Sequence, residues 1–241
     1  CAQMAGNYKL AMAASLEVQQ KIPDFYISLP GSLGNYVQYI HQSPLFTQLR
    51  FGKWNDILKE QVVDSLAHTP VLQYFARGVA FAKTNQLAKA KESLELMKTK
   101  MTEPVLKEPL APFNAAYDGA LVAQHILEGV IASEEKDYKN AIAHFQQAVS
   151  NEDKLIYTEP RDWLLPARQY LGDALIKAGK FNEAIVVFNK DLEINPNNGW
   201  SLTGIATCYK ALNNKTSLAV AQKRLRDAWI IKDITVESSV F

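Results

Sequence analysis

At 241 residues, with 26 basic and 25 acidic side chains and a formal charge of +1, the chain carries no surplus of charge to attract nucleic acid or an anionic membrane. The balance holds along its length, with 12 basic and 10 acidic residues through Asp118 and 14 and 15 beyond it. No apolar run reaches the ~18 residues that span a bilayer, because Gln124, His125 and Glu128 interrupt the best candidate. The segment is therefore expected to be soluble, with the cytoplasm favoured over the periplasm and neither excluded. Cys1 and Cys208 sit at opposite ends and offer neither a disulfide framework nor zinc spacing. Cys208 falls on a predicted helix and reads as a small buried thiol.

The first predicted element is a helix from Tyr8 to Ile22, stopped by Pro23. Gly6-Asn7-Tyr8 followed by Ala11-x3-Ser15 reads as the turn and second helix of a hairpin, so residues 1–22 form an incomplete unit. Cys1 to Ala5 is then the tail of a shortened first helix. The segment reads as a fragment of a longer protein, with Cys1 neither a native start nor a lipidation site. Residues 34–60 form a degenerate unit: a helix from Gly34 to His41, a break at Ser43-Pro44, and the turn Phe51-Gly52-Lys53-Trp54. A third unit, 70–102, has Thr69 as its expected N-cap and Pro70 in the first helical position. It carries Tyr74-x2-Arg77-Gly78-x2-Phe81 and then Ala90-x3-Leu94.

The fourth unit, 117–151, carries His125-x2-Glu128-Gly129-x2-Ala132, Asp137-Tyr138 at the turn, and Ala141-x3-Phe145. The fifth, 165–198, is the clearest: Arg168-x2-Leu171-Gly172-x2-Leu175, the turn Gly179-Lys180-Phe181, Ala184-x3-Phe188, and Pro196 to close. A sixth, 199–231, begins at Trp200 with Leu202-x2-Ile205-Ala206-x2-Tyr209 and turns at Asn213-Asn214, leaving a tail at 232–241. The fifth unit resembles a tetratricopeptide repeat, whose signature is W-x2-L-G-x2-Y, then A-x3-F, then P, over 34 residues. Arg168 stands where the signature has an aromatic. The resemblance implies an all-α, right-handed α-solenoid of stacked helix-turn-helix repeats that binds a protein or peptide, in the style of bacterial members of the family. Each unit shows an apolar stripe that two helices cannot bury, so stacking is obligatory.

Ala90, Ala141 and Ala184 are 51 and 43 residues apart instead of 34, which locates insertions of 17 and 9 residues. The first, 101–116, holds Pro104, Pro109 and Pro112 and is expected to be extended. The second leads into the hydrogen-bonding and aromatic stretch from Tyr157 to Trp163. Insertions in repeat proteins map to one face, often the binding face.

Arg77 and Glu128 occupy equivalent positions in adjacent repeats, where a charge facing inward needs a partner. The expectation is a bidentate ion pair between them. His125 and Glu128, three apart on one helix, with His144 on the next, imitate a metal site, but the ligand set is incomplete and packing or a surface hydrogen bond is favoured. His41 and His68 stand alone in predicted turns. No phosphate loop, nucleophile elbow or Cys-His pairing occurs, so no catalytic residue, cofactor or metal is expected. The inner face of the first helices is apolar at Phe75, Val79, Ile126 and Val130, and a partner's hydrophobic segment or the 101–116 insertion must cover it. Towards the C-terminus the concave lining turns mixed, with Trp163, Arg168, Gln169, Asp173, Trp200 and Lys210 as candidate binding residues; the competing reading buries both tryptophans in the core. These features predict a noncatalytic interaction scaffold using its concave face. The alternative is a docking or regulatory solenoid of a larger enzyme or sensor whose active domain lies upstream.

Overall fold

A turn used six times organises the chain. In the computed structural model, which describes residues 2–159 and 161–241, a residue with positive φ recurs at Gly6, Gly52, Asn85, Lys136, Gly179 and Asn213. After each, the next residue's amide donates to the carbonyl five positions back: Asn7 to Ala2, Lys53 to Gln48, Gln86 to Phe81, Asp137 to Ala132, Lys180 to Leu175 and Asn214 to Tyr209, all at 2.8–3.1 Å. This is the six-to-one bond that satisfies the last carbonyls of a helix before the chain reverses. At Gly179 the absent Cβ makes the left-handed conformation inexpensive. Where asparagine or aspartate follows, its side chain caps the next helix: Asn7 accepts from Leu10 N, Asp137 from Asn140 N and Asn214 from Ser217 N.

Thirteen α-helices result among the described residues, and no β-strand: α1 Tyr8–Lys21, α2 Asp24–Ile27, α3 Gly31–His41, α4 Ser43–Arg50, α5 Trp54–Lys59, α6 His68–Lys83, α7 Leu87–Lys100, α8 Ala116–Glu134, α9 Tyr138–Glu152, α10 Ala167–Lys177, α11 Phe181–Ile194, α12 Gly199–Ala211 and α13 Lys215–Ala228. The molecule is an all-α solenoid. The hairpins α6–α7, α8–α9, α10–α11 and α12–α13 stack in chain order. Small residues set the spacing: a Cβ at Gly172 would lie 2.2 Å from the Phe188 ring and one at Gly204 2.3 Å from the same ring, so Phe188 joins two hairpins through two glycines. Ala90, Ala141 and Ala184 are fully buried at the equivalent place. Pro44 sits in the first turn of α4, so the break before it separates two helices instead of kinking one.

First and second helices differ sharply in burial. Twelve of the 16 residues of α6 are buried and nine of the 11 of α10, against four of 14 in α7 and one of 14 in α13. The first helices are covered on their inner faces too, and the chain itself does the covering. Helix α4 lays Phe46 and Arg50 against them: Phe46 meets Trp163 edge-on, Trp163 meets Phe75, and the Arg50 guanidinium lies 5.1 Å over the Trp200 ring and donates to Gln169. The C-terminal tail returns along α10, where Ser238 Oγ donates to Asp173 and Ser239 Oγ to the Gln169 carbonyl, while Phe241 packs on Trp200. Much of the groove is thus filled by α4 and the tail, while the 101–116 insertion packs against α3 and α8.

The two ends of the stack also meet. Asp233 accepts from the amides of Tyr8 and Lys9 at the start of α1, Asn7 donates to the Ile231 carbonyl, and Trp200 Nε1 donates to the Gln3 carbonyl. Trp229 closes against Gly6 and Gly199 with no room for a Cβ at either. Cys1 and Pro160 lie outside the described residues, so the reading of Cys1 is not addressed. No helix among the described residues is long and apolar enough to cross a membrane.

Candidate binding cleft

A cavity of about 210 Å³ opens where α3, the start of α6 and the two insertions converge. From α3 come Ser32, Asn35, Tyr36 and Tyr39, spaced so that one helical face looks into the cleft. From α6 come His68 and Leu72, one turn apart. The 101–116 insertion is not extended throughout: residues Pro104–Lys107 form a 3-10 turn, and Pro109 bridges to Ala115 in a small loop carrying Phe113 and Asn114. Asn114 fastens this loop to the second insertion, donating to Asp162 Oδ2 at 2.6 Å and to the Ile156 carbonyl at 2.9 Å and accepting from the Ile156 amide. The two insertions therefore wall one cleft, with Thr158, Glu159, Asp162 and Trp163 on the far side. A second cavity of similar size lies across Trp163, between the 152–163 segment, Arg168 and Asp191.

His68 is the residue sequence reasoning missed. It opens α6 instead of occupying a turn, and is 4% exposed. Thr69 is not the cap: the amides of His68 and Thr69 both donate to Gln38 Oε1 from α3, at 2.8 and 3.0 Å. The His68 ring stacks on Tyr39 with centroids 6.1 Å apart, and its Nδ1 lies 3.0 Å from the Asn35 carbonyl. A carbonyl only accepts, so Nδ1 carries the proton and Nε2 is left as an acceptor. Burial lowers the imidazole to about 4, against weaker opposing effects of the Asn35 carbonyl and Asp162, and the ring is neutral near pH 7. Proline two residues on was the available signal, since it marks the first turn of a helix more often than a loop.

The candidate residues of the concave lining are placed differently from expectation. Trp163 and Trp200 are 3% and 0% exposed, with Nε1 donating to the carbonyls of Leu165 and Gln3. They are core, and only an edge of Trp163 reaches the cleft. Gln169 is fully buried between Arg50, which donates to its Oε1 at 2.5 Å, and Asp191, which accepts from its Nε2 at 3.1 Å. Arg168 is spent on a two-pronged pair with Asp153 at 2.6 and 2.7 Å, and Asp173 holds Lys177 and Ser238. Lys210 alone of the six is exposed. The correction has one cause: α4 and the tail occupy the space a partner was expected to fill.

Arg77 and Glu128 do not pair. Arg77 Nη1 donates to the carbonyls of Leu58 and Glu60 at the end of α5, because that chain segment lies on the Arg77 side of α6. Glu128 takes Lys98 at 3.2 Å, His125 at 2.9 Å, His144 at 3.1 Å and Gln124 at 3.0 Å. Burial pushes its carboxyl up, but those donors outweigh it and hold it at about 2. His125, Glu128 and His144 do bring three possible metal ligands within 4.8 Å of one another. Lys98 already supplies the positive charge that a cation would bring.

Residues 166–198 and 125–154 each match a family model described as the tetratricopeptide repeat. The chain contains tetratricopeptide repeats over these residues. Its hairpins α10–α11 and α8–α9 are those matched units, and as a repeat protein it is a scaffold of the protein-interaction class. Among solved structures, one named MamA MSR-1 C2 is 18% identical over 79% of this chain and 95% of its own, with a TM-score of 0.45. A structure of a MamA point mutant is 19% identical over 80% and 98%, with a TM-score of 0.43. No curated protein matches the chain.

Proposed function

We propose that this chain is a noncatalytic scaffold that engages a peptide segment of a partner protein at the cleft between α3, the start of α6 and the two insertions. The observation that carries the reading is the tie through Asn114: two insertions, each absent from a plain repeat, are joined by three hydrogen bonds to wall a single opening. A loop held this way presents a preformed surface, which lowers the ordering penalty on binding. The rest of the concave side offers less room, since α4 and the tail lie in it. The noncatalytic part rests on the side chains present. Burial raises the Cys208 thiol to about 11, which removes it as a nucleophile, and His68 has its Nδ1 committed to a backbone carbonyl with no serine or cysteine bonded to Nε2 among the described residues.

Selection of peptides from a displayed library on the whole chain tests this. Enriched sequences are expected to shift the amide resonances of α3 and residues 108–116, and to bind at least tenfold more weakly to the Phe113→Ala variant. Phe113 is 43% exposed, so its removal leaves the fold intact. Peptides that bind wild type and variant alike, or that shift only the outer helices α7, α9 and α11, would move the site elsewhere.

A further inference from the structure

The chemistry of the cleft selects among ligands. Its walls are aromatic, with Tyr36, Tyr39, Phe113 and an edge of Trp163, and its rim carries three carboxylates, Glu108, Glu159 and Asp162. Among the described residues, no lysine or arginine lines it. Two further polar groups face it without a hydrogen bond among the described residues: Nε2 of His68, a residue 4% exposed whose ring lines the cavity, and the buried Thr158 hydroxyl. With Nδ1–H committed to Asn35, Nε2 accepts only. The wall is therefore short of positive charge and rich in acceptors, while the hydroxyls of Ser32, Tyr36 and Thr158 can donate or accept. A ligand that brings N–H donors and positive charge matches the carboxylates and the His68 Nε2 acceptor.

We propose that the cleft binds an organic cation carrying N–H donors on an apolar stem, an alkylammonium or alkylguanidinium such as the end of a lysine or arginine side chain. The inference rests on the reading of this cleft as the binding site and adds the class of group it takes. The head donates to Asp162 and His68 Nε2 in charge-assisted and neutral hydrogen bonds, and Glu159 and Glu108 contribute attraction at the mouth. The stem lies against Tyr36, Tyr39 and Phe113, whose faces favour a cation. Size agrees: about 210 Å³ is below the ~300–1,000 Å³ typical of drug-sized ligands and suits one side chain or a small amine. Anionic ligands are disfavoured, since the three carboxylates of the rim repel them.

The test compares three probes on the whole chain by calorimetry and by amide and histidine-ring resonances: a capped Ala-Lys-Ala peptide, the same peptide with norleucine in place of lysine, and n-butylamine. The lysine peptide is expected to bind at least tenfold tighter than the norleucine peptide, to move the His68 ring signals, and to weaken at least tenfold with Asp162→Asn. Asp162→Asn keeps an acceptor for Asn114. Glu159→Gln, at an exposed position, serves as a second variant with a smaller loss of twofold or more. Butylamine competing with the peptide would identify a site for free amines, and the peptide alone binding would identify a partner's side chain; both support the proposal. Equal binding of the lysine and norleucine peptides at the cleft overturns the cation while leaving the peptide site standing. No change at the cleft with any probe overturns both.

Discussion

The hairpins from α6 to α13 and the N-terminal helices α1 to α5 share one turn, yet they are held in place by different means. A hairpin closes within about 34 residues: Phe188 reaches Gly172, and Phe145 reaches Gly129. The N-terminal helices are anchored by partners far along the chain, Arg50 to Gln169 across 119 residues, Tyr39 to the Arg161 carbonyl across 122 and Tyr8 to Asp233 across 225. Local pairing builds the stack, and distant polar bonds close it. Stack and closure can therefore be broken separately.

The largest effect is expected inside the stack. Phe188 is fully buried between two glycines of neighbouring hairpins, so Phe188→Ala leaves a void that two helices must share, and a loss of about 3–5 kcal/mol is expected in urea unfolding. A loss under about 1 kcal/mol would mean the joint is loose and the contrast between stack and closure fails. Next comes the closure itself. Asp191 is 1% exposed and accepts from Gln169, Asn195, Asn198 and Ser201, and Gln169 in turn holds Arg50. Asp191→Ala strands those donors, and about 2–4 kcal/mol is expected. Hydrogen exchange should then rise in α4 more than in α6, because α4 depends on that chain of bonds. Equal rises in the two helices would show that the closure adds nothing of its own.

This division also explains what could be read from the sequence. The solenoid was legible because its signals are local: the small residue before each helix-helix contact, the left-handed residue at each turn, and the apolar residue four positions after each alanine all fall within one unit. The insertions were legible as excess spacing. What a first helix faces on its inner side was not, because that depends on which distant segment arrives. Phe75, Val79 and Trp200 look the same in sequence whether a partner or α4 covers them. Arg77 and Glu128 looked like a pair because equivalent positions in stacked repeats are close, but each had a nearer partner supplied by another segment. His68 carried too little around it to mark its burial, since Gln38 and Asn35, which hold it, lie some 30 residues upstream.

A smaller effect separates the two regions by pH. Glu152, in the stack, is raised to about 7 by burial, partly opposed by the Ala167 amide and by Arg168 and reinforced by Asp191 and Asp153. Its folded form binds a proton that the unfolded chain releases, so between about pH 4.5 and 7 its contribution to stability falls as pH rises. His68, where α6 of the stack meets α3, is lowered to about 4, so between about pH 4 and 6.5 the unfolded chain binds the extra proton and its contribution rises with pH. The two slopes oppose each other in the native protein. Glu152→Gln, whose side-chain oxygen still accepts from Ala167, removes one of them. Between pH 5 and 6.5 the stability of that variant should climb relative to the native chain, by at most about 1.4 kcal/mol per pH unit. Parallel curves would mean that Glu152 titrates normally and is not part of a dry core.

The least disruptive change is removal of residues 238–241. Ser238 and Ser239 each make one hydroxyl bond to α10, worth about 0.5–1.5 kcal/mol apiece, and Phe241, 37% exposed, adds part of a ring's burial. Against this stands the ordering of four residues at about 1–2 kcal/mol of backbone entropy each. Both sides amount to a few kcal/mol, so the truncated chain should unfold within about 3 kcal/mol of the full one. Its exchange should quicken only around Gln169, Asp173 and the Phe51–Gly52 turn, where Phe241 now packs. The tail then covers the inner face without bracing it, in contrast to α4, whose Arg50 is tied to the buried network. If truncation instead loosens α1 or α4 throughout, the tail is a brace, and the closure depends on both ends of the chain equally.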